Sequence, residues 1–199
     1  MNDFTEMLVE ARKEHHRLVD EFLDQHGLDI DRLARWCAET IRSGNKLLFF
    51  GNGGSAADAQ HLAAEFVNRF DRDRPAFAAV SLSTDGSILT SIGNDSDFRE
   101  IFSRQIEALG RPGDLAMGIS TSGHSPNVRS ALRTARRLKL RTAALLGRDG
   151  GPAAEEADMT LVVRGSETAR IQEIHILAGH ILCRRVEDLM GAPVTLEGC

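Results

Sequence analysis

Ionisable side chains at helical spacing mark the first candidates for chemistry in this chain. His61 and Glu65 are four residues apart in a segment with helical periodicity, so they share one helix face. Gln172 and His180 are eight apart in a later helical segment and lie on roughly one side of it. If the two helices pack together, two imidazoles, a carboxylate and an amide oxygen converge, and zinc suits that set. The spacing alone leaves open the ordinary alternative, surface or core histidines.

A glycine-rich segment, Gly51-Asn-Gly-Gly-Ser-Ala-Ala-Asp58, follows a short apolar run and precedes a helical pattern. Glycines let the backbone turn and let a ligand approach, and Ser55 is predicted to cap the helix. The free N–H groups of that helix N-terminus can bind an anion, although a tight turn without ligand is the alternative. The dinucleotide fingerprint is weakly supported, because Asp71 and Asp73 precede the second predicted strand, and no Walker lysine follows the glycines.

Hydroxyl groups crowd a second segment, Ser120-Thr-Ser-Gly-His-Ser-Pro-Asn127. Ser125 is predicted as the N-cap of the next helix and Pro126 as its first residue. One cap needs one hydroxyl, so four of them favour an oxyanion ligand over purely structural roles. Two such loops without a cationic cluster indicate a small phosphorylated metabolite held by N–H and O–H donors. Asn94 and Asp95, in a predicted turn, add groups that could bind sugar hydroxyls, with an ordinary turn as the equal alternative.

Short apolar runs alternate with helical patterns and predict the elements that position these loops. The predicted strands are Lys46–Phe50, Phe77–Val80, Asp114–Ile119, Thr142–Leu146 and Met159–Val163. The predicted helices are Asp3–His26 ended by Gly27, a second one that starts after Asp29, runs through Ile41 and stops at Ser43-Gly-Asn45, then Ser55–Phe70, Phe98–Leu109, Ser125–Leu138, a short one near Pro152–Ala157, and Glu167–Met190. Alternation of this kind predicts an α/β fold of three layers, α/β/α, around a five-stranded parallel sheet with long N-terminal and C-terminal helices. Ligands of such sheets bind at the carboxyl ends of the strands.

Length and composition limit the remaining classes. The 199 residues suit one domain, which we divide into an N-terminal helical segment (1–44) and an α/β core (45–199). A net charge of -5 argues against general nucleic-acid binding. No apolar run is long enough for a membrane helix, and three widely spaced cysteines favour neither disulfides nor a thiolate zinc site. A cytoplasmic location is the default prediction.

These residues together resemble the SIS (sugar isomerase) domain family, specifically its phosphoheptose isomerases, over essentially the whole chain. The motifs that carry the resemblance are Gly51-Asn-Gly-Gly-Ser55, Asp58-Ala-Gln-His-Leu-Ala-Ala-Glu65, Gly93-Asn94-Asp95, Ser120-Thr-Ser-Gly123, and Arg170-Ile-Gln-Glu-Ile-His175 with His180. The resemblance implies a flavodoxin-like fold and a homotetramer with active sites at subunit interfaces. It also implies ketose–aldose isomerisation of sedoheptulose 7-phosphate to D-glycero-D-manno-heptose 7-phosphate, for heptose precursors of lipopolysaccharide or related glycans.

The resemblance assigns roles to individual residues as well. Glu65 would be the catalytic base, His180 the acid, and one zinc ion would be bound by His61, Glu65, Gln172 and His180. The substrate contacts it implies are Asn52, Gly53, Gly54, Ser55, Glu65, Asn94, Asp95, Ser120, Thr121, Ser122, Ser125 and Gln172. Arg69 is expected near the site, and Ala169 stands where some members of the family carry an acid.

Three alternatives stay open. A non-catalytic phosphosugar-binding SIS protein that associates with the bacterial replication initiator has similar loops but lacks the complete set of His61, Glu65, Gln172 and His180. A sugar-phosphate-sensing regulator would need a DNA-binding segment and a different charge. An isomerase for another phosphosugar differs only in the chain length of its substrate.

Overall fold

The computed structural model describes residues 3–191; residues 1–2 and 192–199, which include Cys199 and the end of the predicted domain, lie outside the described part. The strands are β1 (Leu47–Gly51), β2 (Ala79–Ser81), β3 (Leu115–Ser120), β4 (Arg141–Gly147) and β5 (Met159–Val163). The helices are α1 (Asp3–Arg42), α2 (Gly54–Val67), α3 (Gly86–Asp95), α4 (Ser103–Leu109), α5 (Pro126–Arg137) and α6 (Thr168–Met190), with single 3-10 turns at Phe98–Glu100 and Pro152–Glu155.

The five strands form one parallel sheet in the order β2-β1-β3-β4-β5. This is the flavodoxin-like order, and the predicted three-layer α/β/α fold is confirmed. The chain leaves β1 toward one edge of the sheet and β3 toward the other. The topological switch point therefore lies between β1 and β3, directly above their carboxyl ends.

Two separate apolar cores cover the two faces of the sheet. Leu47 and Phe49 of β1 point into the core shared with α1, α2 and α6, whereas Leu48 and Phe50 point into the core shared with α4 and α5. Every residue of β1 is buried, as expected for a central parallel strand with helices on both sides. As a result, α2 and α5, which follow the two candidate loops, lie on opposite faces.

The N-terminal segment is one helix, so the prediction of two helices separated at Gly27 is wrong. The buried stripe continues through that glycine from Phe22 and His26 to Ile30 and Leu33. A helical glycine costs about 1 kcal/mol relative to alanine, and the packing of this stripe outweighs that cost. His26 also ties the helix to the edge strand, because its Nε2 accepts the Val162 N–H at 3.2 Å.

Three further elements of secondary structure differ from their sequence predictions. The turn predicted around Asn94 and Asp95 is the last part of α3, which Asp85 caps by accepting the Ile88 N–H at 2.9 Å. The helix predicted over Phe98–Leu109 is divided into a 3-10 turn and α4. The strand predicted from Phe77 begins only at Ala79. Among residues 3–191, none of the helices combines the length and the apolar character that crossing a membrane requires.

Candidate active site

The two predicted loops meet at the switch point. The pairing of β1 with β3 runs up to Gly51 and Ile119, so the segments that follow both strands start side by side. Gly53, with φ of 55°, is the N-cap of α2, and the helix begins at Gly54. The prediction that Ser55 caps the helix is therefore wrong: Ser55 lies buried in the first turn.

The hydroxyls after β3 partly organise their own loop. Ser120 Oγ accepts the Gly123 N–H at 3.1 Å and lies 3.1 Å from Ser125 Oγ. Ser122 Oγ accepts the N–H of the residue two positions later at 3.2 Å. Ser125 occupies the N-cap of α5 as predicted, with Pro126 next, but its side chain makes no capping hydrogen bond. Because Ser120 and Ser125 share one hydrogen bond, one of their two hydroxyl protons remains free for a ligand.

On the other side of the loops, α2 and α6 bring ionisable groups together. His61 Nε2 lies 2.9 Å from His180 Nε2 and 3.5 Å from Glu65 Oε1. The absence of a side chain at Gly179 permits this approach, since a Cβ there would lie 2.5 Å from Leu62 Cδ2. The structure thus brings three of the four predicted zinc ligands into one cluster, which we call the imidazole–carboxylate cluster.

Gln172, the fourth predicted ligand, lies between this cluster and the first loop. Its Nε2 donates to Asp58 Oδ1 at 3.3 Å, and its amide rests against Gly54 where any Cβ would collide with it. Asp58 is buried, and burial raises the pKa of its carboxyl, opposed by the Gln172 hydrogen bond and by the nearby His61. Sequence reasoning assigned Asp58 no role, although it precedes His61 by three residues on the same helix face.

The cluster contains donor atoms that suit zinc. Two imidazole nitrogens at 2.9 Å repel each other through their lone pairs unless a proton or a cation lies between them. Zinc bonds of about 2.0–2.1 Å place tetrahedral ligand atoms roughly 3.3 Å apart, and the two distances from His61 Nε2 lie on either side of that value. Within the described residues, however, no three His, Cys, Asp or Glu side chains already form a complete metal site. The residues therefore fit zinc in donor type and in the spacing of His61 to His180 and Glu65.

Comparison with known proteins identifies the family. The SIS domain model matches residues 12–147. The chain belongs to the SIS-domain family. A phosphoheptose isomerase from Paramagnetospirillum magneticum is 59% identical to this chain over 156 residues. The aligned region covers 78% of this chain and 81% of that protein. The structure of phosphoheptose isomerase from Neisseria gonorrhoeae matches with a TM-score of 0.88 at 41% identity, covering 93% of this chain and 99% of that one. The structure of a phosphoheptose isomerase from Francisella tularensis matches with a TM-score of 0.87 at 29% identity. This match covers 94% of this chain and 100% of that one.

Some predicted contacts of this SIS domain lie apart from the cluster. Asn94 and Asp95 are exposed at the end of α3, and Asn94 Nδ2 donates to Asp95 Oδ1 at 2.7 Å. Arg69 follows the end of α2 and pairs with Asp73. Ala169 lies in the first turn of α6. A cavity of about 170 Å³ adjoins the first loop, and its lining includes Gly51, Asn52, Gly53, Ser83 and Phe98.

A buried ion pair of the SIS domain fixes the helix end that carries Glu65. Glu187 of α6 accepts Arg74 Nε at 2.9 Å and three consecutive backbone N–H groups, from Phe70 to Arg72, at 3.0–3.1 Å. Arg74 in turn donates through Nη2 to the Glu65 carbonyl at 2.7 Å. Burial opposes ionisation of Glu187, but the N–H donors and Arg74 outweigh it and hold the pKa of its carboxyl below the usual value. The C-terminal end of α2 is thereby held against α6.

Proposed function

We propose that this SIS-domain protein is a phosphoheptose isomerase that converts sedoheptulose 7-phosphate to D-glycero-D-manno-heptose 7-phosphate through an enediol. The observation that carries the proposal is the imidazole–carboxylate cluster beside two loops suited to an anion. Relatives that are 59% and 41% identical to this chain are phosphoheptose isomerases, which supports the same reaction here.

The reaction moves one hydrogen from C1 to C2 and one proton from O1 to O2, so it needs a base and an acid. In the proposed mechanism the Glu65 carboxylate takes the proton from C1, alpha to the C2 ketone, while His180 donates a proton to the C2 carbonyl oxygen. The product of this step is the enediol. Loss of the O1 proton to His180 and return of a proton from Glu65 to C2 then give the aldose and restore both side chains. General acid–base groups of this kind contribute about 10²–10⁴-fold to a rate.

The phosphate and hydroxyl groups of the substrate require donors rather than ionisable groups. We assign the phosphate to the loop from Ser120 to Ser125, where hydroxyls and the N-terminus of α5 are close together. The loop from Asn52 to Ser55 supplies backbone N–H groups at the N-terminus of α2. Gln172 lies between this loop and the cluster, and its amide donates a hydrogen bond to Asp58.

Zinc is the proposed cofactor, with one ion for each subunit, and the cluster residues with Gln172 would hold it. When bound, zinc would polarise the carbonyl and enediolate oxygens or organise the site. A side-chain lone pair that is bonded to zinc cannot accept a proton at the same time, so Glu65 and His180 would transfer protons while the reacting atoms are released from the ion. Isothermal calorimetry with zinc tests the assignment: we expect one site per chain in the wild type and at least tenfold weaker binding by His61→Gln. Equal binding by both proteins contradicts it.

Assembly into a homotetramer is part of the proposal. The first turns of α1 expose Phe4, Met7 and Leu8, which are 61%, 56% and 51% exposed, on one face of the helix. Apolar surface of this kind is typical of interfaces. Light scattering at micromolar concentration tests the proposal, and a monomer would contradict it. A cytoplasmic location and a place in heptose precursor synthesis for lipopolysaccharide or related glycans also belong to the proposal.

The direct test is turnover by the purified, zinc-loaded protein. Aldose formation from sedoheptulose 7-phosphate is expected for the wild type, but Glu65→Gln should form far less because it lacks the base. Glu10→Gln, which changes an exposed glutamate of α1, is the matched control and should retain the wild-type activity. Six-carbon ketose phosphates in parallel assays define the preferred chain length. Binding of the phosphosugar without turnover would contradict the isomerase and favour a non-catalytic SIS protein, such as one that associates with the replication initiator.

A further inference from the structure

A reciprocal pair of side-chain amides joins the two candidate substrate loops. Asn52 Nδ2 donates to Asn127 Oδ1 at 2.9 Å, and Asn127 Nδ2 donates to Asn52 Oδ1 at 2.8 Å. Asn127 Oδ1 also accepts the Val128 N–H at 2.9 Å. Because a backbone N–H can only donate, the third bond determines which end of the Asn127 amide is oxygen. The orientation of the Asn52 amide then follows from the pairing.

The pair lies where the covalent chain provides no connection between the loops. The β1–β3 hydrogen bonds end near Gly51 and Ile119, and beyond that point α2 and α5 diverge to opposite faces of the sheet. Asn127 is the second residue of α5, two positions after Ser125. The amide pair therefore spans the crevice between the helix N-termini and sets the distance between the loops.

Burial makes this connection rigid. Asn127 is only 2% exposed and Asn52 is half-buried, so the Asn127 end of the pair is shielded from water. A hydrogen bond is electrostatically stronger in such surroundings, and removing one partner leaves the other amide unsatisfied. Asn52 thus has a fixed position in the free protein rather than one acquired on binding.

We propose that Asn127 is a positioning residue for phosphosugar binding, which it supports by holding the Asn52 loop at a fixed distance from the Ser120–Ser125 loop. The inference rests on the proposed function, since it assumes that one substrate spans both loops. Asn127 acts through Asn52 and need not touch the substrate. Preorganised loops bind more tightly because less of the protein must be ordered during binding.

A double-mutant cycle tests the proposal. We expect Asn127→Ala to raise KM for sedoheptulose 7-phosphate about tenfold, with a smaller change in kcat, because two hydrogen bonds that order the loop are lost. In the Asn52→Ala background, Asn127→Ala should add no further increase, since its partner is already absent. Asn127→Ser, whose hydroxyl can still accept the Val128 N–H but cannot reach Asn52, carries the test if the alanine variant does not fold.

Thr142→Val is the matched control for a general loss of stability. Thr142 is fully buried and exchanges hydrogen bonds with Asp158 at the opposite edge of the sheet, with Thr142 Oγ1 donating to Asp158 Oδ2 at 2.7 Å and accepting the Asp158 N–H at 2.9 Å. It should lower the melting temperature and leave KM unchanged. The proposal is overturned if Thr142→Val raises KM as much as Asn127→Ala does, or if a folded Asn127 variant keeps the wild-type KM. It is also overturned if the KM increases of Asn52→Ala and Asn127→Ala multiply in the double variant.

Failure of the proposed function gives a different result. If the wild type binds sedoheptulose 7-phosphate without isomerising it, calorimetric binding of this phosphosugar, which the inference places across both loops, decides the inference separately. Binding about tenfold weaker by Asn127→Ala than by the wild type supports the positioning role. Equal binding of the phosphosugar by the two proteins, or no binding by either, overturns it.

Discussion

The two sides of the candidate site are built from different chemistry. The loops after β1 and β3 present glycines, hydroxyls and amides, and neutral hydrogen bonds such as Ser120–Ser125 hold them in place. The facing surfaces of α2 and α6 present imidazoles and carboxylates, and the buried Arg74–Glu187 ion pair anchors them. In the proposed function, the loops bind the phosphosugar and the helices supply the groups that transfer protons.

Removing the proton-transfer groups should give the largest effect. Glu65→Gln and His180→Gln keep size and polarity but lose the base and the acid, so kcat should fall about 10²–10⁴-fold while substrate affinity changes little. Steady-state kinetics combined with calorimetric binding measures both quantities. Loss of affinity with unchanged kcat would reverse the assigned division.

The charged anchor of the helices should dominate stability. Glu187→Ala leaves Arg74 buried without its partner, and we expect the free energy of unfolding to fall by about 3–5 kcal/mol. Glu39→Ala, which removes the exposed partner of Arg141, is the matched control and should cost at most about 1 kcal/mol. Urea denaturation compares the two, and similar losses would show that the anchor has no special weight.

A buried histidine on α6 should make stability depend on pH. His175 is fully buried, its Nε2 donates to the Leu146 carbonyl at 2.9 Å, and burial lowers its pKa from 6.5 to about 4. Below pH 6.5 the unfolded chain binds a proton that the folded protein excludes. His175 therefore lowers the free energy of unfolding as pH falls from 6.5 to 4, by up to ~3 kcal/mol, and adds no pH dependence above this window.

His175→Gln provides the comparison, because a glutamine amide can also donate to a carbonyl and does not titrate. Urea denaturation gives the free energy of unfolding of both proteins at each pH between 4 and 7. Below pH 6.5 this free energy should fall more steeply for the wild type than for His175→Gln. The same pH dependence in both proteins would contradict a buried, neutral His175.

The smallest effect is expected in the hydroxyl loop. Ser120→Ala removes one donor and the hydrogen bond to Gly123, so KM should rise about tenfold with kcat nearly unchanged. Ser87→Ala, at the exposed start of α3, is a matched control that should leave KM unchanged. A fall in kcat alone for Ser120→Ala would remove the distinction between the two sides.

The sequence predicts a feature well when neighbouring residues in one segment carry the pattern. The spacing of His61 and Glu65 placed them on one face, and apolar runs identified the parallel sheet. Gly27 was misleading because a local helix breaker was outweighed by packing between α1 and α6. The Gly-Asn sequence before Asp95 likewise predicts a turn, whereas the structure continues α3 through Asn94 and Asp95.

Contacts between distant segments carried no local signal. The Asn52–Asn127 pair joins residues 75 apart in the sequence, and the Gln172–Asp58 contact spans 114 residues. The role of Gly179 depends on the approach of Leu62 from another helix. Helical spacing could have indicated Asp58, whereas the other contacts required the fold.

Solvent deuterium exchange tests the central claim most directly. Wild type, Glu65→Gln and Ser120→Ala would each be incubated with saturating sedoheptulose 7-phosphate in D₂O, and deuterium at C1 of the ketose and C2 of the aldose would be followed by NMR. We expect incorporation by the wild type and, near the wild-type rate, by Ser120→Ala, but about 10²–10⁴-fold slower incorporation by Glu65→Gln. Exchange by Glu65→Gln at the wild-type rate would contradict the proton-transfer role assigned to the helices.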